Sequence, residues 1–198
     1  MDQTSATSTE SAENAAERYV IDGRSSRLTV QAFATGLLSA MGHNPTIAVR
    51  DVSGEFTFNP EKLEAGSLWI AIKASSLSVQ DDISPKDIRE MERMMNQDVL
   101  ETGKFPGIQY DAPEISVTQM GDALYSAALN GNLTLHGVTH RQPMNVRVTL
   151  LGSMLRVSGG FSLRQSDYNI KPVSVAGGAL KLKDELKLAF EIVARKPE

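Results

Sequence analysis

Three histidines, His43, His136 and His140, are the side chains of this sequence best suited to holding a metal or moving a proton near neutral pH. His136 and His140 stand four apart, the spacing with which two imidazoles on one helix face grip zinc. Leu135-His136-Gly137-Val138-Thr139 reads as a strand and turn, however, and there the same spacing does not bring both rings to one ion. We therefore expect no metal site and a turn-capping hydrogen bond from His136. His43 lies in Met41-Gly42-His43-Asn44-Pro45, a loop whose Gly and Pro imply a fixed backbone. It is a candidate for meeting the polar group of a ligand, and would be the natural base if the chain were an enzyme. No glycine-x-serine-x-glycine elbow singles out a nucleophile, so hydrolase chemistry is not expected.

Ser75, Ser76 and Ser78 precede Asp81 and Asp82, a polar patch that serves turns and places negative charge near a helix start. A long polar connection, Gln165 to Pro172 followed by Gly177-Gly178, carries bases at its edges. Arg164 and Lys171, with Lys181 and Lys183, are candidates for an anionic headgroup, although a solvated surface accounts for scattered bases equally well.

These residues must be positioned by strands. Met144, Val146, Val148 and Leu150 alternate with Asn145, Arg147 and Thr149, and the rhythm resumes with Leu155, Val157, Phe161 and Leu163. Further amphipathic strands are predicted over Arg18 to Ile21, Arg27 to Phe33, Thr46 to Val52, Glu55 to Phe58, Ser67 to Ala74, Ile108 to Tyr110, Ala123 to Leu135 and Leu186 to Ile192. Polar turns such as Asn59-Pro60-Glu61 and Gly152-Ser153 separate them. Many short strands with one dry face make an antiparallel barrel or sandwich. One stretch differs: over residues 84–100, Ile88, Met91, Met94, Met95 and Val99 recur at helical spacing behind Ser84 as N-cap and Pro85 at the first position. A weaker helix is predicted from Gly36 to Met41.

Composition narrows the function classes. The 198 residues, 41% hydrophobic, suffice for one domain with a sizeable core, and a second is not needed. Twenty basic against twenty-four acidic side chains and no basic cluster argue against nucleic acid as a partner. Absence of Cys excludes disulfides and thiolate chemistry. Residues 1–17 are too polar to fold and are expected to form a disordered tail before a domain over 18–198. No apolar run is long enough to span a bilayer, and no secretory leader opens the chain, which points to the cytoplasm, or to the periplasm if Met1 replaces a removed leader.

Leu133-Thr134-Leu135-His136-Gly137-Val138-Thr139 resembles the signature of the YceI-like family of lipocalin-like, polyisoprenoid-binding proteins. Other stretches fall in the family's order: Tyr19-Val20-Ile21-Asp22 with Ser26, Ser53-Gly54-Glu55-Phe56, Phe105-Pro106-Gly107-Ile108-Gln109-Tyr110, and Arg164 to Ile170. The resemblance spans about Tyr19 to Val193. It departs at Lys86-Asp87-Ile88-Arg89-Glu90, where the family carries arginine-aspartate-x-histidine-leucine, and at Asn169, where glycine is common. Asn tolerates positive φ better than most residues, so the second change is mild.

The resemblance implies a mainly β fold, an eight-stranded antiparallel lipocalin-like barrel with the helix as lid or wall. It also implies non-catalytic binding, storage or transport of a long apolar ligand: an isoprenoid quinone, polyprenyl phosphate or fatty-acid derivative. With only six Phe and one Trp, the mostly aliphatic inward residues leave room for such a guest. The expected cavity residues are Val30, Leu38, Met41, Ile70, Ile72, Met91, Met94, Met95, Phe105, Leu133, Leu135, Val146, Val148, Phe161, Leu163 and Tyr168. No cofactor is required on this reading, and pairing of two copies through a barrel face is left open. Two expectations compete with it: a barrel filled by its own side chains, acting as an interaction or stress-response module through its surface, and a weak enzyme acting on a bound lipid through His43, which would otherwise meet the lipid headgroup.

Overall fold

The computed structural model describes residues 16–36, 44–58 and 66–197. Strands β1 (Glu17–Ile21), β2 (Arg27–Gln31), β3 (Ala34–Thr35), β4 (Thr46–Val49), β5 (Val52–Phe58), β6 (Ser67–Lys73) and β7 (Leu77–Val79) precede helix α1 (Pro85–Met94). After it come β8 (Gly107–Ala112), β9 (Ile115–Gly121), β10 (Leu124–Leu135), β11 (Val138–Leu151) and β12 (Met154–Arg164). Short strands β13 (Ser174–Val175) and β14 (Leu180–Leu182) lead into β15 (Glu185–Arg195).

Hydrogen bonding runs β1-β5-β6-β8-β10-β11-β12-β15 and returns to β1, where Val20 faces Arg195 and Ile21 faces Ala194. This is the closed eight-stranded antiparallel barrel that the family resemblance implies, and it decides between the barrel and the sandwich that alternation alone allows. Several staves are prolonged past a break. On the same edge of β15 as β1, Leu188 pairs with Val30 of β2, and the ladder continues from β2 to β4 and β7. On the far side β9 extends the β8 stave along β10. A separate small sheet, β13-β14-β3, lies beyond the start of β15.

Differences from the sequence reading have local causes. The strand predicted over Thr46 to Val52 is divided at Arg50 and Asp51, where Arg50 N donates to Ser76 O at 3.2 Å instead of to a barrel neighbour. Strand β1 begins at Glu17, within the stretch expected as tail, because the Glu17 carboxylate accepts from Tyr19 Oη and Lys196 Nζ, both at 2.7 Å. The helix begins as expected: Ser84 Oγ accepts from Asp87 N at 3.2 Å, and Pro85 follows. Its end differs, because Met95–Val99 form a wider π turn. Glu92 Oε1 accepts from Val79 N at 3.0 Å, so the helix satisfies an edge group of β7 that no strand reaches. The predicted helix from Gly36 to Met41 falls largely on residues 37–43, outside the described residues, as does the expected tail before residue 16.

The two-residue turn between β10 and β11 is His136-Gly137, both at positive φ (51° and 73°), which suits the right-handed twist of a hairpin. Asn169, after the 3₁₀ turn Gln165–Tyr168, sits at φ 56°, the conformation its side chain tolerates. That turn is tied to β15 by Asp184, whose carboxylate accepts from Ser166 N at 2.8 Å and Ser166 Oγ at 2.6 Å. The Ser166 side chain and backbone together hold the Asp184 carboxyl below its ordinary range. A depressed pKa contributes stability that is present above the unfolded value, about 4, and is lost as the pH falls through the folded value. Asp184→Asn should lower the urea midpoint at pH 7 and reduce its drop on acidification; an acid limb identical to that of the parent would exclude this tie.

Candidate functional site

Between the helix and the barrel staves lies one large cavity, of about 400 Å³. Alternation explains its walls, because only every second residue of a stave faces inward. From the rim downward it is bounded by Leu186, Leu188, Phe190 and Ile192 on β15, by Leu163, Phe161 and Val157 on β12, and by Leu135, Leu133 and Leu129 on β10. Ile72, Ile70 and Leu68 of β6 do the same on the opposite side, and Leu28 and Val30 of β2 and Ile47 and Val49 of β4 complete the ring. Met91, Met94, Met95 and Val99 close the flank beneath the helix. These thioethers are soft and unbranched, and fill an irregular boundary well.

Polar groups on this boundary are few and mostly committed. Gln165 is buried, and its amide donates to Lys183 O at 3.0 Å. Tyr110 Oη donates to Gln142 O at 3.0 Å, and burial pushes its pKa up to about 12, so it remains a neutral hydroxyl. Lys181 is the one charged residue on the cavity wall among the described residues. It stands on β14 in the rim sheet, with Ser174 opposite on one neighbouring strand and Thr35 on the other. Glycine at position 178 keeps that corner open, since a Cβ there would come within 3.1 Å of Lys181 Cε. An interior of this kind can bury hydrocarbon at about 25 cal/mol per Å².

Of the residues expected to face a ligand, Val30, Ile70, Ile72, Met91, Met94, Met95, Leu133, Leu135, Phe161 and Leu163 are gathered around this one cavity. Four others lie elsewhere. Val146 and Val148 point inward, as their alternation requires, but at a lower level, where they border a separate void of about 30 Å³. Phe105 covers the hairpin turn instead, its ring centroid 4.3 Å from that of His136, and a Cβ on Gly137 would strike it at 2.6 Å. Tyr168 is buried against His140 in an edge-on contact with centroids 5.2 Å apart. Arg164 and Lys171 are exposed and do not border the cavity. Leu38, Met41 and His43 fall outside the described residues.

The two remaining histidines serve the loops. His136 Nδ1 lies 3.2 Å from Tyr168 O and Nε2 lies 2.8 Å from Glu101 Oε2, joining the segment after the helix to the 3₁₀ turn. His140 Nε2 donates to Asp167 O at 2.8 Å. The rings thus engage different partners, and among the described residues no three His, Cys, Asp or Glu side chains converge as metal ligands would. Cavity residues that the sequence reading missed fall into two kinds. Leu186, Leu188, Phe190 and Ile192 carry a legible alternation, whereas Leu180 and Leu182 stand on a three-residue strand too short to show a period, on either side of Lys181, one of the four bases that charge alone makes headgroup candidates.

The model of the YceI-like domain matches residues 19–194, almost every element of the barrel. The chain belongs to the YceI-like family. Among its relatives, a UPF0312 protein of Pseudomonas savastanoi pv. phaseolicola is 27% identical over 187 residues, covering 90% of this chain and 87% of that one. A UPF0312 protein of Pseudomonas paraeruginosa is 30% identical over 129 residues, 61% of each chain. The barrel is shared with the crystal structure of Burkholderia cenocepacia BcnA, at TM-score 0.67 and 18% identity over 87% of this chain and 98% of that one. It is shared equally with a polyisoprenoid binding domain from Saccharophagus degradans implicated in plant cell wall breakdown, at TM-score 0.66 and 16% identity over 90% and 98%. No helix among the described residues is long and apolar enough to cross a membrane.

Proposed function

We propose that this YceI-like protein is a non-catalytic carrier or reservoir that takes one long-chain apolar molecule into its barrel. The observation that carries this reading is a cavity of about 400 Å³ walled by hydrocarbon, with one cation among the described residues, Lys181, at its rim. A dry cavity of about 150 Å³ accepts benzene, so by simple scaling this one holds a tail of about 16 carbons. The description of the Saccharophagus degradans relative as polyisoprenoid binding supports an isoprenoid tail, as in a quinone or polyprenyl phosphate, with fatty-acid derivatives of the same girth as the alternative. Lys181 would then face the headgroup, with the hydroxyls of Ser174 and Thr35 at its sides. On the cavity wall Gln165 and Tyr110 are already bonded to backbone carbonyls, so they hold shape, and the carrier reading needs no cofactor.

The test is extraction of freshly purified protein with organic solvent and mass spectrometry of the extract, with native mass spectrometry of the intact complex. A stoichiometric apolar molecule is expected. A barrel that emerges empty and takes up neither geranylgeraniol nor palmitate would defeat the reading in favour of a surface interaction module.

A further inference from the structure

The cavity and the small void below it share part of their walls. Phe56 of β5, Leu129 of β10 and Val157 of β12 border both spaces, from three staves around the barrel. Above them on β12 and β10, Phe161 and Leu133 border the cavity alone, and below them Leu155 and Ala127 border the void alone. Phe56 faces Tyr19 and Leu68 in the barrel register and is buried, so its ring is held from both neighbouring strands. Lys181 and the small sheet stand at the other end, beyond the start of β15.

We propose that Phe56, with Leu129 and Val157, is a partition that sets the length of tail this barrel accepts. This rests on the carrier reading above. A tail entering at the Lys181 rim gains affinity with each carbon until its end meets the Phe56 ring. Further carbons must then stay at the mouth in water or displace a packed aromatic side chain. The void beneath, about 30 Å³, is too small for more than a water-sized group while the partition stands. Removing the Phe56 ring joins the two spaces and adds a benzene-sized volume, room for about six more carbons.

The experiment is displacement of a fluorescent fatty acid by straight-chain fatty acids of about 12 to about 24 carbons, on the full chain, with prenols as a second series. The expected result for the parent is affinity rising to about 16 carbons and then levelling or falling. Phe56→Ala should move that break upward by about six carbons, so that the longest acids bind about a thousandfold tighter than to the parent. Leu129→Ala should move it in the same direction by less, and serves if the Phe56 variant does not fold. Leu155→Ala enlarges only the lower void, so the break should not move. Uptake of every length without a break, an unchanged break in both partition variants, or a break shifted by Leu155→Ala would overturn the partition alone. Binding of no chain at any length would overturn the carrier reading with it.

Discussion

Ile72→Trp should leave the barrel folded and abolish tight uptake of a long tail. Ile72 stands on the cavity wall near the rim end of β6, opposite Val52 and Ile108, and is only half-buried because it faces open space. An indole there projects into the cavity without forcing a packed neighbour aside, so the usual cost of overfilling a core is largely avoided. It does occupy the path of the tail. Excluding about four methylenes forfeits about 3 kcal/mol at about 0.8 kcal/mol each, which is about a hundredfold in affinity. The check is the fluorescent displacement assay beside near-ultraviolet circular dichroism. Val148→Trp is the informative contrast: Val148 is buried beside the void of about 30 Å³, so the same ring has nowhere to go. That variant should lose thermal stability without gaining the binding phenotype of Ile72→Trp. Parent-like affinity in a folded Ile72→Trp protein would mean that the tail does not use this cavity.

The difference between these two positions also marks how far the sequence could be read. Period-two alternation gives Val146 and Val148 of β11 an inward face, as it does Ile70, Ile72, Phe161 and Leu163, and the structure has all six facing the barrel interior. Alternation states which way a side chain points but not how deep in the barrel it lies. Depth depends on register between staves, such as Phe56 opposite Leu68 or Val157 opposite Ile192, and on contacts far apart in sequence. The helix was legible because Ser84, Pro85 and the methionine stripe act locally, whereas its π-widened end was not. Strands β7 and β9, and the small sheet bearing Lys181, escaped because a strand of two or three residues has no period to detect, and because exposed Thr118, Gln119 and Met120 blur that of β9. Arg164, Lys171, Lys181 and Lys183 are headgroup candidates on charge alone, and only the pairing of β14 with β3 and β13 shows that Lys181 is the one at the cavity rim.

Register also makes one glycine critical. Gly131→Ala should destabilise the fold by about 3 kcal/mol, lowering Tm by about 6–12 °C in a chain of this size. Gly131 lies on β10 between the cavity residues Leu129 and Leu133 and shares their inward direction. Tyr110 of β8, paired with Leu133, occupies the space a side chain would need: a Cβ on Gly131 would lie 2.4 Å from both Cζ and Oη of that ring. Asp111 O, at 2.7 Å, blocks escape toward the neighbouring strand. To admit one methyl group the phenol must move, which breaks its hydrogen bond to Gln142 O and leaves a buried hydroxyl unpaired. A clash of this kind is testable by its non-additivity. Tyr110→Leu alone costs stability by losing that bond and its packing, but it removes the obstacle, so Gly131→Ala in the Tyr110→Leu background should cost less than in the parent. The expected coupling is about 1–3 kcal/mol from the urea midpoints of the four proteins. Additive effects would show that Gly131 is needed for its backbone and not as the seat of Tyr110.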